Sequence, residues 1–261
     1  MKYILWLLAT ATLAVACKKD TPPEYNNNVK APLSIEFDNI AGTANLQLNT
    51  GIYSNAAGEQ FTVSKLKYYI SNISLISTNG EAYTVPHDSS YFLIEEGVKD
   101  RVMIQVPEGE YAALRFTLGV DSLRNTMDVS RRAGVLDPAG DAADMYWGWN
   151  SGYIFFKLEG NSPASTAAAN KFQYHVGGFG GYSTATTNNL RSFTIDLSER
   201  GNAKPRAGRI ANIHLMADIL KVLNGSTNMS FATVSMIHSP LGAVPLANNY
   251  KQMFQHDHTE N

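Results

Sequence analysis

The chain holds a single cysteine, Cys17, in 261 residues. One thiol cannot form an internal disulfide, and a zinc site built from several cysteines is excluded with it. Beyond residue 16 no apolar run approaches the roughly 20 residues that a membrane-spanning helix needs. An excess of one charge is lacking too. The 21 Lys and Arg against 23 Asp and Glu give a net charge of -2, and no basic stripe of the kind nucleic acid requires is present. There is no Gly-x-Ser-x-Gly elbow, P-loop or dinucleotide fingerprint. Gly177-Gly178-Phe179-Gly180-Gly181 is glycine-rich but lacks a Lys-Ser/Thr ending, and it fits a tight bend better than a phosphate cradle.

The chain does have a distinctive start. Met1-Lys2-Tyr3 is a short positive segment, and Ile4 to Ala16 is apolar and ends in small residues. It reads as a signal peptide over residues 1–16, too short to span a bilayer. Leu13-Ala14-Val15-Ala16-Cys17 resembles a lipobox, in which the cysteine is lipidated and becomes the first residue of the mature chain. Lys18-Lys19-Asp20 after it is similar to the start of many Gram-negative surface lipoproteins. The expectation is an exported protein anchored in the cell envelope by acyl (palmitate-type) chains on Cys17, facing the periplasm or the cell surface. Residues 17–31, including the polar stretch Thr21 to Lys30, read as a flexible tether. The folded domain is expected over 32–261.

That domain has 44% hydrophobic residues, ample for a core. Its pattern is mostly strands. Leu33 to Asp38 alternates apolar and polar, as does Ala44 to Leu48, and Phe61 to Ile76 is rich in β-branched and aromatic residues. Further strands are predicted at Ala82–Val85, Tyr91–Ile94, Arg101–Val106, Ala112–Val120, Tyr153–Glu159, Lys171–Val176 and Ser192–Leu197. Asp121 to Asp144 is a long excursion with a short helix near Asp121–Met127, and Ile213 to Leu223 reads as a strand running into a second short helix. The fold class is therefore all-β: a single antiparallel β-sandwich with long loops and one or two short helices.

Chemistry-bearing residues cluster in three places. Trp147 and Trp149 lie two apart, so on a strand they share a face; a packed aromatic plug is the plainer alternative to a functional pair. In Phe172-Gln173-Tyr174-His175-Val176, His175 faces away from the aromatics. At the C-terminus His238 precedes Ser239-Pro240, and His256-Asp257-His258 on an extended backbone would put both imidazoles on one side, within reach of one metal, with a solvated polar tail as the plainer alternative. His214 stands near Asp218, where a buried His–Asp pair is expected, and His87 has no evident partner. An enzyme would need a nucleophile–base arrangement among groups such as Asp141, Asp144 and His214, and no such spacing is legible, so a non-enzymatic protein is expected.

Taken together, Met145-Tyr146-Trp147-Gly148-Trp149-Asn150-Ser151-Gly152-Tyr153, Tyr174-His175-Val176-Gly177 and the ending from Asn248-Asn249-Tyr250 to His258 resemble the MbnP-like copper-binding family, which includes lipid-anchored members. The resemblance covers about Pro32 to His258. It implies a β-sandwich, a histidine copper site and, in some members, a tryptophan oxidised to kynurenine by a di-haem partner of the cytochrome c peroxidase type. Here Trp147 or Trp149 would hold the modified position. Members with the established site carry a histidine two residues after that tryptophan, whereas this chain has Trp149 after Trp147 and Ser151 after Trp149. The copper ligands implied for this chain are therefore His175, His238, His256 and His258. A second reading keeps the sandwich without metal, as an interaction or carbohydrate-binding module whose Trp147, Trp149 and Tyr153 stack on sugar rings.

Overall fold

The computed structural model describes residues 25–149 and 152–261. The expected signal peptide and Cys17 lie outside these residues. Within them no helix is long and apolar enough to cross a membrane.

Two sheets pack face to face. In the smaller, Lys30–Ala41 lies in the middle. One edge of it pairs in parallel with Ala211–Asp218, which in turn pairs antiparallel with the final strand, Phe254–Glu260. It also pairs antiparallel with Arg101–Pro107 and, at its end, with the short Ala44–Asn45 strand. In the larger sheet the order is Arg191–Asp196, Tyr111–Leu118, Gln60–Ser77, Gly152–Asn161, Lys171–Gly177, Met236–Ile237. The 18-residue strand Gln60–Ser77 organises it. Its first half pairs with Gly152–Asn161 and its second half with Tyr111–Leu118, while Tyr91–Glu95 pairs with its middle. The register breaks between Ser71 and Ser74, where Asn72 takes a φ of 53°, a left-handed conformation asparagine tolerates well.

The all-β sandwich with short helices is thus as the hydrophobic alternation predicts. Two pairings differ from a purely antiparallel expectation. Lys30–Ala41 with Ala211–Asp218, and Lys171–Gly177 with Met236–Ile237, are parallel, so both sheets are mixed. A parallel pair needs a long crossover, and the first of these has every strand of the larger sheet except Met236–Ile237 between its strands. The first strand also starts at Lys30, earlier than the expected end of the tether. Tyr25 lies under the Arg206 guanidinium and the Asn26 amide donates to Glu108, so this stretch is docked on the domain. The predicted Ala44–Leu48 strand shortens to Ala44–Asn45, and a third helix, Val244–Asn249, has no clear sequence periodicity.

Period-two alternation fixes the core. Leu33, Ile35 and Phe37 point inward from the smaller sheet, with Ser34, Glu36 and Asp38 on the other side, and Phe172, Tyr174 and Val176 are fully buried from the larger. The sheets meet through one aromatic cluster. Phe254 lies 5.9 Å from Phe37, 5.1 Å from Phe116 and 4.9 Å from Phe193, all edge to face. Tyr68 joins them 6.1 Å from Phe37, and its hydroxyl donates to the buried Asn39 side chain at 2.9 Å. Edge-to-face pairs add about 0.5–1.5 kcal/mol each beyond the area they bury.

The long excursion after Asp121 is also structured. Asp121 caps the helix Ser122–Asn125, and the Arg132 guanidinium donates to the Asn125 and Met127 carbonyls while lying over the rings of Tyr146 and Tyr153. Tyr69 and Tyr153 donate to the carbonyls of Val135 and Leu136. The excursion is thereby tied to the larger sheet immediately before the tryptophan segment.

Truncating Phe254 to alanine should cost about 3–5 kcal/mol of unfolding free energy in a urea titration. Val98→Ala, at an exposed position, should stay within about 0.5 kcal/mol. A Phe254→Ala cost below about 1 kcal/mol would show that the two sheets do not depend on this cluster.

Candidate metal centres

The outer face of the larger sheet carries His175. Strand alternation turns it away from Tyr174 and Val176, and its register partner on the neighbouring strand is Lys157. Its Nε2 lies 2.6 Å from Glu159 Oε1. His238, just past Met236–Ile237, stacks on His175 with ring centroids 4.5 Å apart and planes 22° from parallel. Burial, and then the neighbouring His175, lower the His238 pKa, which favours the neutral imidazole that a metal needs. The hydrogen bond from His175, together with nearby positive charge, holds the Glu159 carboxyl below its ordinary range.

The tryptophans sit at the end of the same strand. Gly177 follows His175 by two positions, so both face the same side. A Cβ on Gly177 would lie 2.6 Å from the Trp147 ring and 2.6 Å from the Tyr153 carbonyl oxygen. Only glycine lets the indole pack there. Trp147 is 5% exposed and Trp149 is 65% exposed, and their rings contact each other at 5.3 Å. The strand ends at Trp147 and Trp149 lies in the turn that follows, so the two rings meet through the turn and not through a shared strand face, with one indole packed in and one outside. Tyr153 is fully buried. The sugar-stacking platform expected of Trp147, Trp149 and Tyr153 is thus reduced to Trp149, because Trp147 and Tyr153 are buried.

An ionic clamp holds that segment down. Asp144 accepts from Lys65 Nζ at 2.9 Å and Lys67 Nζ at 3.3 Å, and Lys157 Nζ is 3.6 Å from its carboxylate. Lys157 also donates to the Asp144 carbonyl. Partial burial alone would raise the Asp144 pKa, but the Lys65 hydrogen bond and the charges of Lys157 and Lys67 outweigh it and bring it to about 2. Asp144 is therefore a structural anion here, and His214, with which an enzyme reading grouped it, lies on the other sheet.

His256 and His258 do not share a side as their spacing suggested. The pairing of the last strand with Ala211–Asp218 has a bulge: His258 stands opposite His214, and His256 stands opposite Leu215. The extra residue, Asp257, resets the alternation. His256 turns into the sandwich with 6% exposure, and its Nε2 lies 2.9 Å from Thr259 Oγ1. Asp257 and His258 both turn outward. His214 joins them: its Nδ1 is 3.1 Å from Asp257 Oδ2, and His258 Nδ1 is 2.8 Å from the same oxygen. These hydrogen bonds, the one from His258 first, hold the Asp257 carboxyl below its ordinary range and raise His258 in turn. Asp218, the neighbour expected to pair with His214, instead accepts from the Gly42 and Leu220 amides. His87 has a partner after all, Tyr91 Oη at 3.0 Å from its Nδ1.

The four histidines expected to act together are thus divided. His175 and His238 stack on one face, His258 joins His214 on the opposite sheet, and His256 points inward. Among the described residues one group of three potential ligands has its donor atoms all within 4.8 Å of one another, namely His214, Asp257 and His258. The sequence carried no signal for that trio, because the bulge that assembles it is set by strand pairing.

The architecture defines an all-β sandwich with an imidazole–indole cluster on the outside of its larger sheet. The MbnP family model matches residues 30–239, and the chain belongs to that family. The solved structure of MbnP from Methylosinus trichosporium is similar in fold, with a TM-score of 0.57 and 15% identity over 81% of each chain. Comparison with curated protein sequences gives no match. Trp147, Trp149, His175 and His238 fall inside the matched span, whereas His256, Asp257 and His258 lie beyond it.

Because the folded pKa of Asp144 lies below its ordinary value of 3.8, its contribution to stability is full above that value and is lost as pH falls from about 4 to about 2. Asp144→Asn should flatten the stability profile in that window and lower stability at neutral pH. Tryptophan fluorescence during acid titration reports whether the segment loosens. An unchanged acid profile in the variant would remove Asp144 from its role as clamp.

Proposed function

We propose that this protein is an exported copper-binding lipoprotein, anchored through Cys17, that handles copper in the periplasm or at the cell surface without catalysing a reaction. The observation that carries the reading is the His175–His238 stack with Trp147 packed at the end of the same strand, inside the span that matches the MbnP family. Imidazole suits both oxidation states of copper. Two imidazoles with centroids 4.5 Å apart, and Glu159 at hydrogen-bond distance from one, bring two nitrogen donors and a carboxylate to one place on this face. His175 and His238 would hold copper, and Glu159 would orient His175. In this reading Trp147 supplies a further ligand once oxidised to kynurenine, an aromatic amine where indole offers none. Trp149 is the exposed alternative for that modification, and a di-haem enzyme of the cytochrome c peroxidase type is the partner expected to carry it out. The face is not strongly acidic: Asp144, Glu95 and Glu159 stand against Lys65, Lys67 and Lys157. Imidazole coordination, not field strength, must therefore supply the affinity.

The untagged mature domain titrated with Cu(I) and Cu(II) should bind tighter than micromolar, and His175→Ala/His238→Ala should abolish that binding. Binding weaker than micromolar, or unaffected by the double substitution, contradicts the reading. The intact mass of protein from its native host should show a gain of about 4 Da at the Trp147–Trp149 segment. An unmodified mass there removes kynurenine from the site.

A further inference from the structure

We propose that His214, Asp257 and His258 form a second metal site, on the outer face of the smaller sheet, that takes a zinc-type divalent ion through two imidazole nitrogens and one carboxylate oxygen. It does not rest on the copper reading, since it shares no residue with the His175–His238 cluster and two of its three ligands lie beyond the span matched by the family.

The geometry comes first. Both Nδ1 atoms approach the same oxygen, Asp257 Oδ2, at 3.1 and 2.8 Å, and the two rings are 4.9 Å apart by centroid. An ion with bonds of about 2.0–2.1 Å separates its ligands by about 2.9–3.4 Å, between right-angled and tetrahedral arrangements. The two His–Asp separations are already close to that range, and all three donor atoms lie within 4.8 Å of one another, so the side chains have only to close on the ion. Two imidazoles and one carboxylate leave a position open for water. This donor set suits zinc and its neighbours and is too nitrogen-rich for magnesium or calcium.

The second argument is how the backbone builds the trio. In a regular strand Asp257 and His258 would point to opposite faces. The bulge opposite His214 and Leu215 turns both outward beside His214. Bulges of this kind re-aim side chains, and here the effect is to set three ligands from two hydrogen-bonded strands side by side.

Third, the surroundings favour a cation. Glu36 is the register partner of His214 on the central strand, Asp38 follows two residues on along the same face, and Glu260 Oε1 is 3.7 Å from His258 Nε2. Burial first, and then the neighbouring Glu36 and Asp257 charges, raise the Asp38 pKa, although His214 opposes this. Two guanidiniums oppose the carboxylates. Arg200 lies 3.7 Å from Asp257 Oδ1, and Arg101 pairs with Glu36. Asp257 Oδ2, facing the histidines, is not the oxygen that Arg200 approaches. His258 is about half exposed, which gives an ion access from solvent.

Such a site would clamp the last strand to its neighbour, and the last strand carries Phe254 into the inter-sheet cluster. Zinc binding would therefore stabilise the whole domain.

The test uses the mature chain, zinc chloride, a chromophoric chelator in competition, and thermal unfolding. Two backgrounds are compared: wild type and His175→Ala/His238→Ala. One equivalent of zinc should bind in both, with a Tm rise of about 5 °C at saturation. His258→Ala, at a half-exposed position, should weaken that equivalent by about a hundredfold and remove the Tm rise, while the zinc-free Tm, which loses only the surface hydrogen bond to Asp257, falls by less than the zinc-induced rise. His214→Ala should do the same to affinity, and cobalt(II) in place of zinc should give visible absorption that both variants lose. The proposal is overturned if wild type binds no zinc. It is overturned equally if His258→Ala keeps wild-type affinity, or if the zinc equivalent disappears with His175→Ala/His238→Ala instead. Loss of copper binding in that double variant with zinc retained would leave the two sites separate, so each can fail alone.

Discussion

The edge-to-face packing of Phe254 against Phe37, Phe116 and Phe193 is the contact on which the rest depends. It joins the last strand of the chain to both sheets. Once Phe254 must point inward, alternation dictates every neighbour: Gln255 out, His256 in, Asp257 out. The bulge then adds one step, so His258 also points out and Thr259 returns inward to meet His256. The outward pair therefore owes its position to the buried Phe254 and the bulge together, and His214 owes its own to the burial of Ile213 and Leu215 on the neighbouring strand. The same logic holds on the larger sheet, where burial of Phe172, Tyr174 and Val176 leaves His175 facing solvent beside Glu159 and His238. In both sheets hydrophobic demand on one face sets the chemistry available on the other.

Much of this was legible as pattern. The strands containing Ile35 and Tyr174 announce themselves by alternation and those containing Tyr68 and Phe156 by their β-branched and aromatic content, and the outward turn of His175 follows from the alternation of its strand. The spacing of Trp147 and Trp149 suggested a shared strand face, but a turn at Gly148–Trp149 is what brings their rings together. What pattern could not reveal depends on pairing across long separations. Asp144 meets lysines from a strand nearly eighty positions earlier, and only the register of Gln60–Ser77 against Gly152–Asn161 brings Lys65, Lys67 and Lys157 under it. His214 finds Asp257, not Asp218, because four positions along the extended strand Ala211–Asp218 span about 13 Å, whereas Asp257 comes alongside on the paired strand. A His-x-His spacing is read as one-sided only on a regular strand, and one inserted residue reverses that reading. Parallel pairing of the first strand with Ala211–Asp218 was likewise invisible locally, since it is decided by where the intervening sheet folds back.

The domain thus presents imidazole on both outer faces, in different company. On the larger sheet the imidazoles stack, are flanked by a balanced set of lysines and carboxylates, and lie beside an indole packed onto Gly177. That cluster falls within the span shared with the MbnP family. On the smaller sheet they share one carboxylate among further acidic groups. The ionic clamp at Asp144 links the first cluster to the fold, because it fixes the chain three residues ahead of Trp147. The proposal places copper on this face of the larger sheet, at His175 and His238.

A crystal structure of copper-loaded protein, with anomalous data collected on both sides of the copper edge, tests that claim most directly. The account predicts a copper peak bonded to ring nitrogens of both His175 and His238, at distances of about 2.0–2.1 Å. A fully loaded crystal with no copper at that pair, or with its copper bound elsewhere, would contradict it.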